Sequence, residues 1–195
     1  MSCKYKYKIS FIGDSAVGKS SLLYSIFCPE FISIEHFPTI GLDVKTKYYH
    51  FNDTPVLVYM YDTSGLEYYV KITSSFYKDS KIIFIIFDLS QKSSFKLVPH
   101  WYALVLNNLD ERAKIILVGN KNDLKKQVTN EEINNFIKKY NLEYIETNYN
   151  EQILSKKVEQ LINNLFQQDS VKLIKTNDCI VRINDRPKNS CCIIN

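Results

Sequence analysis

Apolar residues recur along this chain with two spacings. Short runs rich in β-branched and aromatic residues occupy residues 7–13 ("YKISFIG"), 55–62 ("PVLVYMYD"), 81–88 ("KIIFIIFD"), 113–123 ("AKIILVGNKND") and 142–147 ("LEYIET"). Each is too short for a helix of ordinary length, and the composition predicts strands. The run "IIFIIF" has no polar face, as expected of a strand covered on both sides in a parallel sheet. Between these runs, residues 20–27 ("SSLLYSIF"), 93–109 ("SSFKLVPHWYALVLNNL"), 129–141 ("TNEEINNFIKKYN") and 151–168 ("EQILSKKVEQLINNLFQQ") place apolar side chains at helical spacing. Thr129 followed by Glu132 is a capping-box start. Pro99 is compatible with the second of these helices only near a first turn. Strand–helix alternation predicts an α/β domain with a mostly parallel sheet and helices on both faces. In such sheets ligands sit at the carboxyl ends of the strands. The predicted strands end on Gly13, Asp62, Asp88 and the polar loop 119–123, so acids and glycines gather at that edge.

After Gln168 the repeat decays. A domain over residues 1–168 and a flexible tail over 169–195 are the expected organisation. Length, at 195 residues, suits one domain with a tail, and 45% apolar and 24% charged residues are ordinary for a globular chain. A formal charge of +4 without a dense basic patch argues against a nucleic-acid partner. The five cysteines are unevenly spaced and not grouped with the three histidines. They imply neither a disulfide framework nor a zinc site, but a reducing compartment. The N-terminus lacks the apolar core of a signal peptide, and Ser2 stands where myristoylation requires glycine.

Three motifs carry chemistry. "GDSAVGKS" (residues 13–20) matches G-x-x-x-x-G-K-S between a strand and a helix. Backbone N–H groups of such a loop, Ser15, Ala16, Val17, Gly18 and on to Ser21, wrap phosphate oxygens at a helix N-terminus. Lys19 reaches the terminal phosphates, and the Ser20 hydroxyl is a hard ligand for Mg²⁺. In "YDTSG", Asp62 ends a strand and is the expected second Mg²⁺ element, acting through water, while the Gly65 N–H faces a terminal phosphate. In "GNKND", the Asp123 carboxylate matches the ring N–H and exocyclic amine of guanine, a pair that adenine lacks. Asn120 ties this loop to the phosphate loop, and the Lys121 stem covers the base. A P-loop kinase or ATPase is disfavoured by that loop and by the lack of room for a substrate domain.

With these motifs in place, residues 6–168 resemble the Ras-like small GTPases, and within them the Rab family. "HFPTIGLDV" resembles the Rab switch I segment, with Pro38 beside the base-and-phosphate contacts and Thr39 as the γ-phosphate and Mg²⁺ sensor; "YYVKITSSFYKDS" and "FDLSQKSSF" are similar to later Rab segments. The resemblance implies the P-loop NTPase three-layer sandwich with a six-stranded, mostly parallel sheet. It implies a GTP/GDP switch with Mg²⁺, held by Ser20, Thr39 and Asp62. Phe31 lies where the family places an aromatic against the guanine edge. "ETNYN" (residues 146–150) stands where E-T-S-A-K is expected, so Asn148 and the Tyr149 N–H take the base-loop places, and Asn150 replaces a stacking lysine.

"CCIIN" resembles the paired-cysteine ends of Rabs, which implies geranylgeranyl groups on Cys191 and Cys192, and "CIIN" also reads as a C-a-a-X box with Asn195 as X; two chains anchor stably where one is marginal. The implied partners are effectors at switches I and II, an exchange factor, an activating protein, a prenylation escort and a GDP-dissociation inhibitor. The implied location is the cytoplasmic face of an intracellular membrane, in exchange with cytosol, in vesicle trafficking. One departure bears on turnover: Leu66 stands where the family's switch II glutamine orients the attacking water. Leucine has no donor or acceptor for that water, so slow hydrolysis is expected. A GTP-bound, membrane-anchored binding module that essentially does not hydrolyse is the alternative.

Overall fold

The computed structural model of the protein describes residues 3–27, 39, 41–65, 77–106, 113–149 and 151–180, with residues 171–180 described by backbone alone. Phe31, Pro38, Leu66, Cys191 and Cys192 lie outside the described residues. The elements run β1 (Tyr5–Ile12), α1 (Lys19–Phe27), β2 (Leu42–Phe51), β3 (Thr54–Thr63), β4 (Ile82–Asp88), α2 (Lys92–Lys96), α3 (Val98–Leu106), β5 (Lys114–Asn120), α4 (Asn130–Tyr140), β6 (Glu143–Glu146) and α5 (Ile153–Ile180). They build one six-stranded sheet in the order β2-β3-β1-β4-β5-β6. Every neighbouring pair is parallel except β2 with β3. A mostly parallel sheet is what the strand–helix alternation predicts, and six strands are what the resemblance implies.

Strand β4 shows why the apolar runs are unbroken. All its residues are buried. Ile82, Phe84 and Ile86 join Leu22, Leu23 and Ile26 of α1 and Leu154, Val158 and Ile162 of α5 in one core. Ile83, Ile85 and Phe87 join Val98, Trp101 and Val105 of α3 and Ile133 and Phe136 of α4 in the other. A strand between two helical layers has no solvent face on which a polar residue is tolerated.

Three features depart from the sequence pattern. The pattern assigns no strand to residues 42–51, yet β2 forms there, antiparallel to β3 from Leu42 opposite Thr63 to Phe51 opposite Thr54. It is an edge strand along which burial alternates but residue chemistry does not follow: Asp43, Lys45 and Lys47 take the half-buried side, while Val44 and Tyr48 stay 41% and 57% exposed. Its one local signal is the turn: Asn52 and Asp53 sit at φ 48° and 60°, the left-handed pair that a two-residue hairpin loop requires.

The single helix expected over 93–109 is broken at Leu97, which caps α2. Pro99 has no N–H to give Phe95, and its ring would meet that carbonyl. The chain restarts with His100 and Trp101 donating to the Leu97 oxygen at 3.0 and 3.1 Å. Pro99 therefore lies in the first turn of α3, the position at which it is tolerated. Helix α4 begins as expected, with Glu132 N donating to the Thr129 hydroxyl and Thr129 N donating to the Glu132 carboxylate at 3.0 Å.

The last helix does not stop at Gln168 but continues to Ile180. The Tyr7 hydroxyl donates to Asp169 Oδ2 at 3.0 Å, so β1 holds α5 just past the expected boundary. The tail assigned from residue 169 therefore begins with helix.

Candidate functional site

The loop between β1 and α1 turns over a backbone that side chains would block. Gly13 has φ 143°, and a Cβ there would lie 2.1 Å from the Ile86 oxygen. Gly18 has φ 95°, and a Cβ there would lie 2.4 Å from Asn120 Nδ2. Both glycines are required by close approach as well as by conformation. Ala16, between them, adopts φ 60° without being glycine, a strained position for a residue with a Cβ. Lys19 opens α1 with its side chain almost wholly buried. Its ammonium donates to the Gly13 and Asp14 oxygens at 3.0 and 2.8 Å, so the charge is held over the loop rather than in solvent.

Opposite this loop, β3 delivers Asp62, which is 3% exposed. Thr39 Oγ1 donates to Asp62 Oδ2 at 3.4 Å, and the Thr39 and Ser20 hydroxyls are 2.9 Å apart. Asp62 Oδ1 is buried without a hydrogen-bond partner among the described residues. Burial pushes the Asp62 carboxyl above its ordinary range, and the Ser20 hydroxyl, the Lys19 ammonium and the Thr39 hydroxyl pull it part of the way back. Two hydroxyl oxygens and a carboxylate with one bare buried oxygen form a hard, all-oxygen donor set, which fits Mg²⁺. Gly65, at φ 80°, brings its backbone against the loop: a Cβ there would lie 2.5 Å from Lys19 Nζ and 2.6 Å from Ser15 N.

The end of β5 forms the other wall. Asn120, 2% exposed, donates through Nδ2 to the Val17 oxygen at 2.7 Å. Lys121, at φ 61°, crosses the phosphate loop; its ammonium donates to the Ala16 oxygen at 2.9 Å and pairs with the buried Asp88 carboxylate at 2.6 Å. The loop after β6 is tied to this one, with Thr147 N donating to the Gly119 oxygen at 3.0 Å and Asn122 N to the Thr147 oxygen at 3.2 Å.

These walls enclose a cavity of about 540 Å³ lined by Ser15, Ala16, Gly18, Lys19, Ser20, Ser21, Thr39, Asn120, Lys121, Asp123 and Tyr149 among the sequence-expected residues. That is within the range of small-molecule and cofactor pockets. Val17 does not line it: the side chain is in the core and only its carbonyl serves the site. Asn148 is buried behind the wall, donating to Asn122 Oδ1 at 2.7 Å. Thr63 and Ser64, inside "YDTSG" but given no role there, and Leu124, which follows "GNKND", also line the cavity. Their place in or beside a motif is the signal that would have found them. Asp88, the anchor of Lys121, carries a fainter signal as the acid closing an apolar strand. Among the described residues no cluster of three His, Cys, Asp or Glu forms a metal site, and no helix is long and apolar enough to cross a membrane.

Residues 8–170 match the family model described as Ras family. The chain is 35% identical over 166 residues to Ras-related protein Rab-11A of Dictyostelium discoideum, covering 84% of this chain and 76% of that protein. It is 34% identical over 188 residues to Ras-related protein Rab-11B of the same organism, covering 95% and 84%. It is 32% identical over 166 residues to Ras-related protein RABA4b of Arabidopsis thaliana, covering 84% and 72%.

Proposed function

The chain belongs to the Ras family and to its Rab branch, and on that premise we propose that the cavity is the Mg²⁺–guanine-nucleotide site of a Rab switch whose turnover is slow. As a Rab it is a guanine-nucleotide-binding molecular switch of vesicle trafficking. The observation that carries the residue assignment is the buried Asp62 with its bare Oδ1, set beside Ser20, Thr39 and Lys19.

In this reading the phosphate loop from Ser15 to Ser21 wraps the phosphates with N–H groups, and Lys19 holds the charge of the terminal ones. Ser20 and Thr39, with Asp62 through water, would hold Mg²⁺, which would neutralise phosphate charge. Asp123 reads the guanine edge, the Tyr149 N–H meets its oxygen, and Asn120 fixes the base wall to the phosphate loop through Val17. Phe31 and Pro38 belong to the same site by resemblance. Thr39 lies against Ser20 and Asp62, and Gly65 against Lys19 and Ser15, so in this reading their contacts report the γ-phosphate to the effector surface. Leu66 follows directly and offers the attacking water no hydrogen bond, which separates binding from hydrolysis.

The trafficking role places the protein at membranes. The finer reading is the cytoplasmic face of an intracellular compartment, with prenyl groups on Cys191 and Cys192. The partners in that reading are effectors, exchange and activating proteins, an escort and a GDP-dissociation inhibitor. The non-hydrolysing module differs only in rate, and Leu66 alone favours it.

Displacement of fluorescent GDP tests the site. GTP and GDP should compete and ADP should not. Chelation of Mg²⁺ should speed release, and Ser20→Asn should lose GTP more than GDP. Competition by ADP equal to that by GDP, or release indifferent to chelation, would overturn the assignment.

A further inference from the structure

The two loops at the base end are joined by side chains as well as backbone. Asn122 accepts from Asn148 Nδ2 at 2.7 Å and donates through its own Nδ2 to Glu151 Oε2 at 3.3 Å. Its backbone N–H reaches the Thr147 oxygen at 3.2 Å. Asn122 thus spends its donor and its acceptor on two residues of the loop that follows β6. The left-handed turn at Lys121 aims Asn122 inward and leaves Asp123, the next residue, at the exposed rim of the cavity. An exposed carboxylate on a loop has little packing to fix its direction. Here the direction is set one residue earlier, by a side chain locked to the opposite loop.

We infer that Asn122, with Asn148 and Glu151, is a positioning residue for base selectivity: the relay sets the separation between the Asp123 carboxylate and the loop carrying Tyr149. The inference rests on the proposed guanine site. It assigns a purpose to Asn148, which lines no part of the cavity, and to Glu151, which no sequence motif marks. The relay also supplies a fixed base wall in a loop where Asn150 replaces a stacking lysine.

The test compares GDP with IDP, which lacks the exocyclic amine and so loses one of the two hydrogen bonds to Asp123. A general loosening weakens both ligands alike, whereas a misplaced Asp123 narrows the difference between them. Asn122→Ala should lower the GDP-over-IDP preference about tenfold, the equivalent of one hydrogen bond. Asn122→Asp keeps the acceptor for Asn148 but sets a carboxylate against Glu151, and should lower the preference as well. Adding Glu151→Gln to Asn122→Asp restores a donor–acceptor pair with the roles exchanged, and should recover most of the preference. Circular dichroism checks folding, and if the alanine variant does not fold, the Asp single and the Asp/Gln double decide. An unchanged preference in the single variants, or a double variant no better than Asn122→Asp, overturns the inference. A wild-type chain that binds neither nucleotide overturns the guanine site itself, a separate outcome.

Discussion

Asn120→Ala isolates the bond that makes one site out of two distant loops. Nδ2 of Asn120 donates to the Val17 oxygen at 2.7 Å, across 103 positions of sequence, with Asn120 itself 2% exposed. Truncation leaves the Val17 carbonyl buried without that donor. An unsatisfied buried polar group costs about 1–3 kcal/mol, against the ~1 kcal/mol net worth of an ordinary hydrogen bond. Taking ~2 kcal/mol, and ~2–4 °C per kcal/mol for a chain of this size, Tm of the nucleotide-free protein should fall by about 4–8 °C. Val17 sits within the loop between β1 and α1, so freeing its carbonyl also loosens the N–H groups to which the proposed site assigns the phosphates. A further ~1.4 kcal/mol lost on binding is tenfold in Kd.

Asn120→Asp sharpens the case. The carboxylate nearly matches the amide in shape but cannot donate, and it buries a charge against a carbonyl. The expected order is wild type, then alanine, then aspartate, in both thermal unfolding and GDP affinity. Differential scanning calorimetry and stopped-flow release of fluorescent GDP measure the two quantities. A Tm within 1 °C of wild type together with an unchanged release rate for Asn120→Ala, or an aspartate variant as good as wild type, would refute the reasoning.

Gly65→Ala should weaken GTP more than GDP, since a methyl at φ 80° meets Lys19 Nζ at 2.5 Å and Ser15 N at 2.6 Å; an unchanged GTP-to-GDP ratio of Kd would contradict it. Leu66→Gln should raise single-turnover hydrolysis by roughly 10- to 100-fold, corresponding to ~1.4–2.7 kcal/mol of transition-state positioning; a rate equal to that of the parent would remove Leu66 as the cause of slow turnover. Lys92, and then the Thr129 backbone N–H, hold the Glu132 carboxyl at about 2, below the ordinary 4.5. A depressed carboxylate stabilises the fold above its unfolded pKa, and that contribution fades as pH falls from about 4.5 through about 2. Amide exchange in the first turn of α4 should therefore stay protected at pH 5 and open in the acid range, with less protection in Lys92→Ala at pH 5.

The most legible strand is β4, because it is buried on both faces and its surroundings force one residue chemistry at every position. Strands β1, β3, β5 and β6 are legible from β-branched and aromatic runs despite partly exposed positions. The loop between β1 and α1 is legible because Gly13, Gly18, Lys19 and Ser20 are local in sequence, and close backbone approach at the glycines leaves few substitutes. The capping box at Thr129 and Glu132 is local too, and it stands as written. Strand β2 was hidden because its half-buried side carries Asp43, Lys45 and Lys47 while Val44 and Tyr48 face out, so no apolar alternation marks it, and only the Asn52–Asp53 turn announces it. The break at Leu97 is written in Pro99, but a helical repeat on both sides masks it.

The sequence by itself determined the fold class, the phosphate loop and the three motif groups, because each depends on a short stretch and its immediate backbone. Tertiary structure alone decided how those groups meet. It set the reach of Asn120 to Val17, the pairing of Lys121 with Asp88, the gathering of Ser20, Thr39 and Asp62, and the Asn122 relay to Asn148 and Glu151. These are contacts between the ends of separate strands, and their partners are chosen by sheet order. Parallel strands put distant loops side by side at one edge, and no local pattern records which loops those will be.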